Sequence, residues 1–186
     1  MQSNFRQMTM QRSSPEEVLS KTLRQITESI EILLEKRHNQ SVLILLFTTI
    51  DILGSLIRPK SDLDTHSRFF KKWADDYMIA PSHLPFTSEE LWGERCGLLH
   101  THTPSSKLSR TGKIRQIHFF RGGSPQYEQA MRTHESQKNV LFVNIDELYE
   151  HLKKGISAFY LQMEKDASLR NIALHHAKAL FGTHRR

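Results

Sequence analysis

Thr87-Ser88-Glu89-Glu90-Leu91-Trp92-Gly93-Glu94-Arg95-Cys96-Gly97-Leu98-Leu99-His100 is a helix that carries its own start signal and, near its end, a permanent cation and a titratable imidazole. Thr87 followed three residues later by Glu90 is a capping box, in which hydroxyl and carboxylate each satisfy a backbone N–H left open by the first turn. The helix is expected to reach about His102, with Pro104 as its stop. Arg95 stays charged at any working pH and can grip phosphate oxygens through two N–H groups; His100, with a reference pKa of ~6.5, can give or take a proton near neutrality. Those two groups suffice, in principle, to cleave RNA without a metal. Residues five apart on a regular helix are ~140° apart around the axis and ~7.5 Å along it. Convergence on one phosphate therefore requires the helix to loosen before Pro104, or a second copy of the helix to complete the cleft. His102 lies closer to the face of Arg95 and is the second choice for the imidazole role.

Working outward, helical signals dominate. Ser14-Pro15-Glu16-Glu17 is another capping box, and Leu19, Leu23, Ile26, Ile30 and Leu33 follow at three-and-four spacing, so a helix is expected from about Pro15 to Arg37. A second, from about Gln40 to Ile57, is apolar almost all round and stops at Arg58-Pro59. Its exception is the line Thr48, Asp51, Ser55 and Arg58, either a functional stripe with Asp51 available to fix Arg95 or orient His100, or the solvated edge of a core helix. A third helix, about Leu63 to Ile79, carries the core candidates Phe69, Phe70, Trp73 and Tyr77 and is expected to end before Pro81.

Beyond Pro104 the pattern changes. Ile114 to Phe120 and Val140 to Val143 read as short strands of an edge ribbon, separated by a polar loop with Gly122-Gly123-Ser124-Pro125. Asn144 caps an amphipathic helix with Leu148, Leu152, Ile156, Phe159 and Met163, which continues or breaks near Ala167, and a last helix runs to Gly182. The organisation expected is a loose arm over 1–14 and a single mainly α domain over 15–186: helical core 15–104, ribbon 113–144 and C-terminal helices 145–182.

Composition excludes several classes. With 38% hydrophobic and 25% charged residues, the 186-residue chain has the make-up of a soluble globular protein. The arm lacks an apolar stretch of signal-peptide type, and the apolar run Val42 to Ile57 contains Asp51, so neither secretion nor a membrane partner is expected. The single cysteine, Cys96, rules out an intrachain disulfide and fits a reducing cytoplasm. A net charge of +6 points to an acidic partner. No Asp or Glu occurs from Arg95 to Tyr127, a window holding Arg95, Lys107, Arg110, Lys113, Arg115 and Arg121, so a positive surface is expected there.

Four leading helices with Arg, four residues and His near the end of the fourth resemble the HEPN superfamily, and the phrase Leu91 to His100 is similar to that of a group of bacterial HEPN-like proteins. The resemblance covers roughly Pro15 to Pro104. It implies a HEPN-like four-helix up-and-down bundle, here with a small β-ribbon insertion and C-terminal helices. It also implies metal-independent endoribonuclease activity, with Arg95 and His100 as the catalytic pair, in a homodimer whose motif helices face each other. A toxin or defence role would add a cognate antitoxin protein as partner; no cofactor and no metal are expected. Family nucleases often have a polar residue directly after the Arg, where this chain has Cys96. In the mechanism implied, the ribose 2′-hydroxyl attacks its own phosphodiester, His100 moves the proton, and Arg95 holds the phosphate, with Asp51 in support. Lys107, Arg110, Lys113 and Arg115 would follow the RNA backbone.

Each element has a plainer alternative. Arg95 can be a structural partner of Asp51 or Glu94, and His100 a C-terminal helix residue favoured by the dipole. Gly93 and Gly97 let another backbone approach closely, whether a twin helix or a helix of the same chain. Other HEPN-like proteins have no catalysis and bind RNA or protein, and that non-catalytic module is the alternative function.

Overall fold

The computed structural model describes residues 13–101, 107–122, 129 and 139–181, with the side chains of 100, 101 and 107 outside the description. Residues 1–12 of the expected arm over 1–14, His102 and most of the loop after Gly122 therefore lie outside the described residues. What is described is mainly helical, with one two-stranded parallel sheet.

Helix α1 (Pro15–Glu35) begins as its sequence dictates: the Ser14 hydroxyl accepts from Glu17 N–H at 3.1 Å and the Glu17 carboxylate accepts from Ser14 N–H at 2.8 Å. Helix α2 (Asn39–Leu56) is the centre of the molecule. Val42, Leu46, Phe47, Ile50, Leu53 and Leu56 are all buried, against helices described below on several sides. By length and composition α2 could cross a membrane, but 56% of it is buried within the chain. Burial on all sides is what an apolar, weakly amphipathic helix requires.

The third helical stretch departs from expectation at both ends. Helix α3 (Ser67–Ala74) starts four residues later than the apolar pattern implied, leaving Leu63 87% exposed. It then passes through a π-helical turn, Asp75–Ile79, into the short α4 (Ala80–Ser82), so Pro81 lies inside the helical path. Proline has no N–H to give the carbonyl four residues back, and the wider π turn re-routes the bonding, with Ala80 N–H reaching Asp75 O. The chain leaves through His83 at φ 50°.

Close approach of α2 and α3 rests on Gly54. A Cβ placed there would sit 2.8 Å from both Phe69 O and Phe70 N. Phe70 and Trp73 pack into the core, and Trp73 and Tyr77 meet Phe159 at ring distances of 6.5 and 5.2 Å.

Helix α5 (Ser88–Thr101) packs on α3 and α2, and its capping box forms: Thr87 N–H donates to Glu90 at 2.8 Å. After α6 (Lys107–Arg110), β1 (Gln116–Phe120) pairs with β2 (Val140–Asn144) in parallel, Gln116 opposite Val140 through Phe120 opposite Asn144. The pairing is parallel, which a tight hairpin turn of the kind an edge ribbon suggests does not give. Asn144 then caps α7 (Ile145–Lys165), accepting from Asp146 N–H at 2.8 Å, and a break at Asp166 leads to α8 (Ala167–Phe181), which packs on α1.

Candidate functional site on helix α5

Arg95 and Asp51 come together. The guanidinium donates from Nε and Nη2 to one carboxylate oxygen, both at 2.9 Å, and its carbon lies 4.9 Å from the centroid of the Trp92 ring one turn back. The pair joins α5 to α2 and is partly shielded, Arg95 being 19% and Asp51 28% exposed. An ion pair stacked on an indole holds a guanidinium in one orientation far better than a surface pair does. The rest of the stripe does not join it. Ser55 is buried and donates to Ile52 O, while Arg58 is buried and donates to Ser55 O and Asp62 O. Ser55 and Arg58 thus form no solvated edge but tie off the end of α2, while Thr48 and Asp51 are half-buried.

His100 belongs to α5, five residues beyond Arg95, its side chain outside the description, and His102 lies outside the described residues. Cys96 is half-buried; burial pushes its thiol up, against the pull of Arg95, so it is a poor nucleophile at neutral pH. A disulfide-exchange reagent at pH 7.5 should modify it about tenfold more slowly in the folded protein than in urea, and equal rates would contradict this burial. Gly93 and Gly97 are both buried by the chain itself.

The acid-free window is not an uncompensated positive face. Arg115 donates to the Glu90 carboxylate at 2.6 and 3.0 Å and to Pro85 O at 2.9 Å. Arg121 donates to both oxygens of Asp146 at 2.9 Å and also to Leu34 O. With Arg95 on Asp51, three of its arginines are matched by acids from outside the window. Arg110 and Lys113 are exposed on and just after α6; the Lys107 side chain lies outside the description.

Geometry also gives Glu94, read from the sequence only as a possible partner of Arg95, a different place: Arg95 takes Asp51, and Glu94 turns to the sheet. Along β1, N–H groups point alternately to β2 and to the open edge: Gln116 N–H donates to Asn139 O, whereas Arg115 N–H donates to Glu90 at 3.4 Å and Ile117 N–H to Glu94 at 3.0 Å. Four residues of helix rise ~6.0 Å and two residues of strand ~6.6 Å, so carboxylates four apart on α5 match N–H groups two apart on β1. Two glutamates thus stand where a third strand would pair.

Glu90 and Glu94 share a face yet differ electrostatically. Burial pushes the Glu90 carboxyl up, but Arg115 and the Thr87 N–H more than offset it and hold it below the usual range. Glu94, 2% exposed, has no such cation among the described residues; burial pushes it up to about 7, with the Ile117 N–H pulling against. The next α5 position in the series is Leu98, which has no acceptor, and there a cleft of about 300 Å³ opens, lined by Gln40, Leu43, Glu94, Leu98, Ile117, His118 and Phe119. A sequence signal existed: Glu90 and Glu94 sit at helical spacing with Leu91 and Leu98 on an inward face where acids are rare.

Among the described residues no group of three or more His, Cys, Asp or Glu is placed to hold a metal ion. No protein-family model, no curated protein and no solved structure matches this chain.

Proposed function

We propose that the chain is a HEPN-type endoribonuclease that cleaves RNA by attack of the 2′-hydroxyl on the adjacent phosphate, with Arg95 and His100 as the working pair. The observation that carries the reading is the Arg95–Asp51 pair, which fixes a guanidinium against Trp92 on the helix that also bears His100. A cation already oriented by a carboxylate and a ring costs less to place on a phosphate, and preorganised charge is where such catalysis gains most. On this reading α1, α2, the α3–α4 stretch and α5 form the HEPN-like bundle, with the sheet and the last two helices as additions. A homodimer would bring a second α5 to the cleft, a cognate antitoxin would cover it, and the protein would work in the cytoplasm. Arg110 and Lys113, with Lys107, would follow the RNA strand; Arg115 serves Glu90 instead.

One observation favours a second reading, a non-catalytic HEPN-like module that binds RNA or protein: the Arg95 guanidinium is already engaged by Asp51, and Cys96 stands where nucleases of the family often have a polar group.

The test is incubation of purified protein with end-labelled RNA in EDTA. Wild type should yield 2′,3′-cyclic phosphate and 5′-hydroxyl ends, and Arg95→Ala and His100→Ala should each lower the rate by about 10²- to 10⁴-fold. Intact RNA with the wild-type protein, binding retained, would transfer the conclusion to the non-catalytic module.

A further inference from the structure

We infer that the cleft between α5, the open edge of β1 and the first turn of α2 is a binding site for a guanine base, gripped by the Glu94 carboxylate through two adjacent N–H donors. Glu94 is 2% exposed and lines the cleft. Its Oε1 accepts the Ile117 N–H at 3.0 Å, and its Oε2 accepts no hydrogen bond from any described residue. That oxygen is not sealed among the buried atoms that lack a partner, so it opens onto the cleft, where a ligand's N–H donor can take the place of water.

The walls narrow the class of ligand. Leu43, Leu98, Ile117 and Phe119 are apolar, Gln40 and His118 lie beside them, and about 300 Å³ is the low end of small-molecule sites (~300–1,000 Å³). Apolar sides with one polar anchor suit a flat heterocycle whose faces are buried and whose edge carries hydrogen-bond donors. Among the bases, guanine alone presents two N–H groups side by side, N1–H and the 2-amino group, matching a carboxylate as a fork matches a fork. Adenine and cytosine put a ring acceptor beside their amine, and uracil flanks its single N–H with carbonyls. Each would set an acceptor against a carboxylate oxygen. A guanidinium also offers paired donors, but it is a small cation that would leave the apolar walls unfilled.

The source of the base, an RNA strand lying along α5, rests on the ribonuclease reading; the pocket itself does not. Calorimetric titration of the full chain at pH 8 with guanosine, inosine, adenosine and methylguanidinium tests it. Saturable guanosine binding is expected, about tenfold weaker for inosine, which lacks the 2-amino group, and undetectable for adenosine. Glu94→Gln, which keeps an acceptor for Ile117 N–H but turns an amide N–H toward the base, should weaken guanosine binding at least about tenfold, as should Gln40→Trp at the exposed mouth. No saturable guanosine binding, equal binding of adenosine, preference for methylguanidinium, or unchanged binding by folded Glu94→Gln would each overturn the assignment. If wild type also cuts beside guanosine in labelled RNA and Glu94→Gln cuts without that preference, the base comes from the strand. Guanosine binding by a chain that cleaves no RNA would keep the pocket and remove the nuclease.

Discussion

Glu94→Gln should raise the stability of the folded chain at pH 8 by about 3 kcal/mol and leave it nearly unchanged at pH 4.5. The Glu94 carboxyl stands at about 7 in the fold against 4.5 for an ordinary glutamate, because burial penalises the ionised form and no cation among the described residues offsets it. A raised carboxyl means the folded chain holds its proton after the unfolded chain has released it. The contribution of this group is therefore fully present below about pH 4.5 and is lost as pH rises through 7. Glutamine cannot ionise, keeps an oxygen for the Ile117 N–H at the same place, and removes the penalty. In a chain of this size the gain corresponds to a Tm rise of about 6–12 °C at pH 8. Thermal unfolding of both proteins between pH 4.5 and 8.5 reads the difference directly. A variant less stable than wild type at pH 8 would mean that the ionised carboxylate is itself a structural partner and the cleft is not as described.

Gly54→Ala should cost about 3 kcal/mol or more, the largest loss expected from adding a single methyl group to this chain. The added carbon would meet the backbone of Phe69 and Phe70 at 2.8 Å, and backbone cannot swing aside as a side-chain tip can. Relief requires α3 to move off α2, taking Phe70 and Trp73 out of their contacts. In an ordinary exposed helix the same change adds about 1 kcal/mol of helix propensity, so the sign alone discriminates. Urea unfolding showing a gain in midpoint would place α2 and α3 farther apart than described.

Much of the architecture was legible because its causes are local. The capping boxes at Ser14 and Thr87 and the cap at Asn144 fix helix starts within four residues, and each forms as its sequence spells it. The all-round apolar character of α2 likewise announced a central helix. What the chain hid is set by distant partners. Pro81 reads as a stop, yet a π turn upstream absorbs its missing N–H. The two strands pair in parallel, a relative direction that no local pattern within either strand encodes. The basic window looked uncompensated because Asp51, Glu90 and Asp146 reach its arginines from 44, 25 and 25 residues away. Asp51 could be named in advance, standing alone on an apolar helix. For Glu94 the sequence offers only an acid on an inward face; its significance comes from the N–H of Ile117 and from having no cation against it among the described residues, both properties of the folded neighbourhood.

The proposed chemistry needs the ribose hydroxyl itself as nucleophile, and that is open to one direct measurement. An RNA carrying a single 2′-deoxynucleotide immediately 5′ of a mapped cut site, incubated with the wild-type protein in EDTA, should remain intact at that linkage while unmodified linkages are cut to 2′,3′-cyclic phosphates. Cleavage at the deoxy position, or products ending in 5′-phosphate, would contradict the roles given to Arg95 and His100.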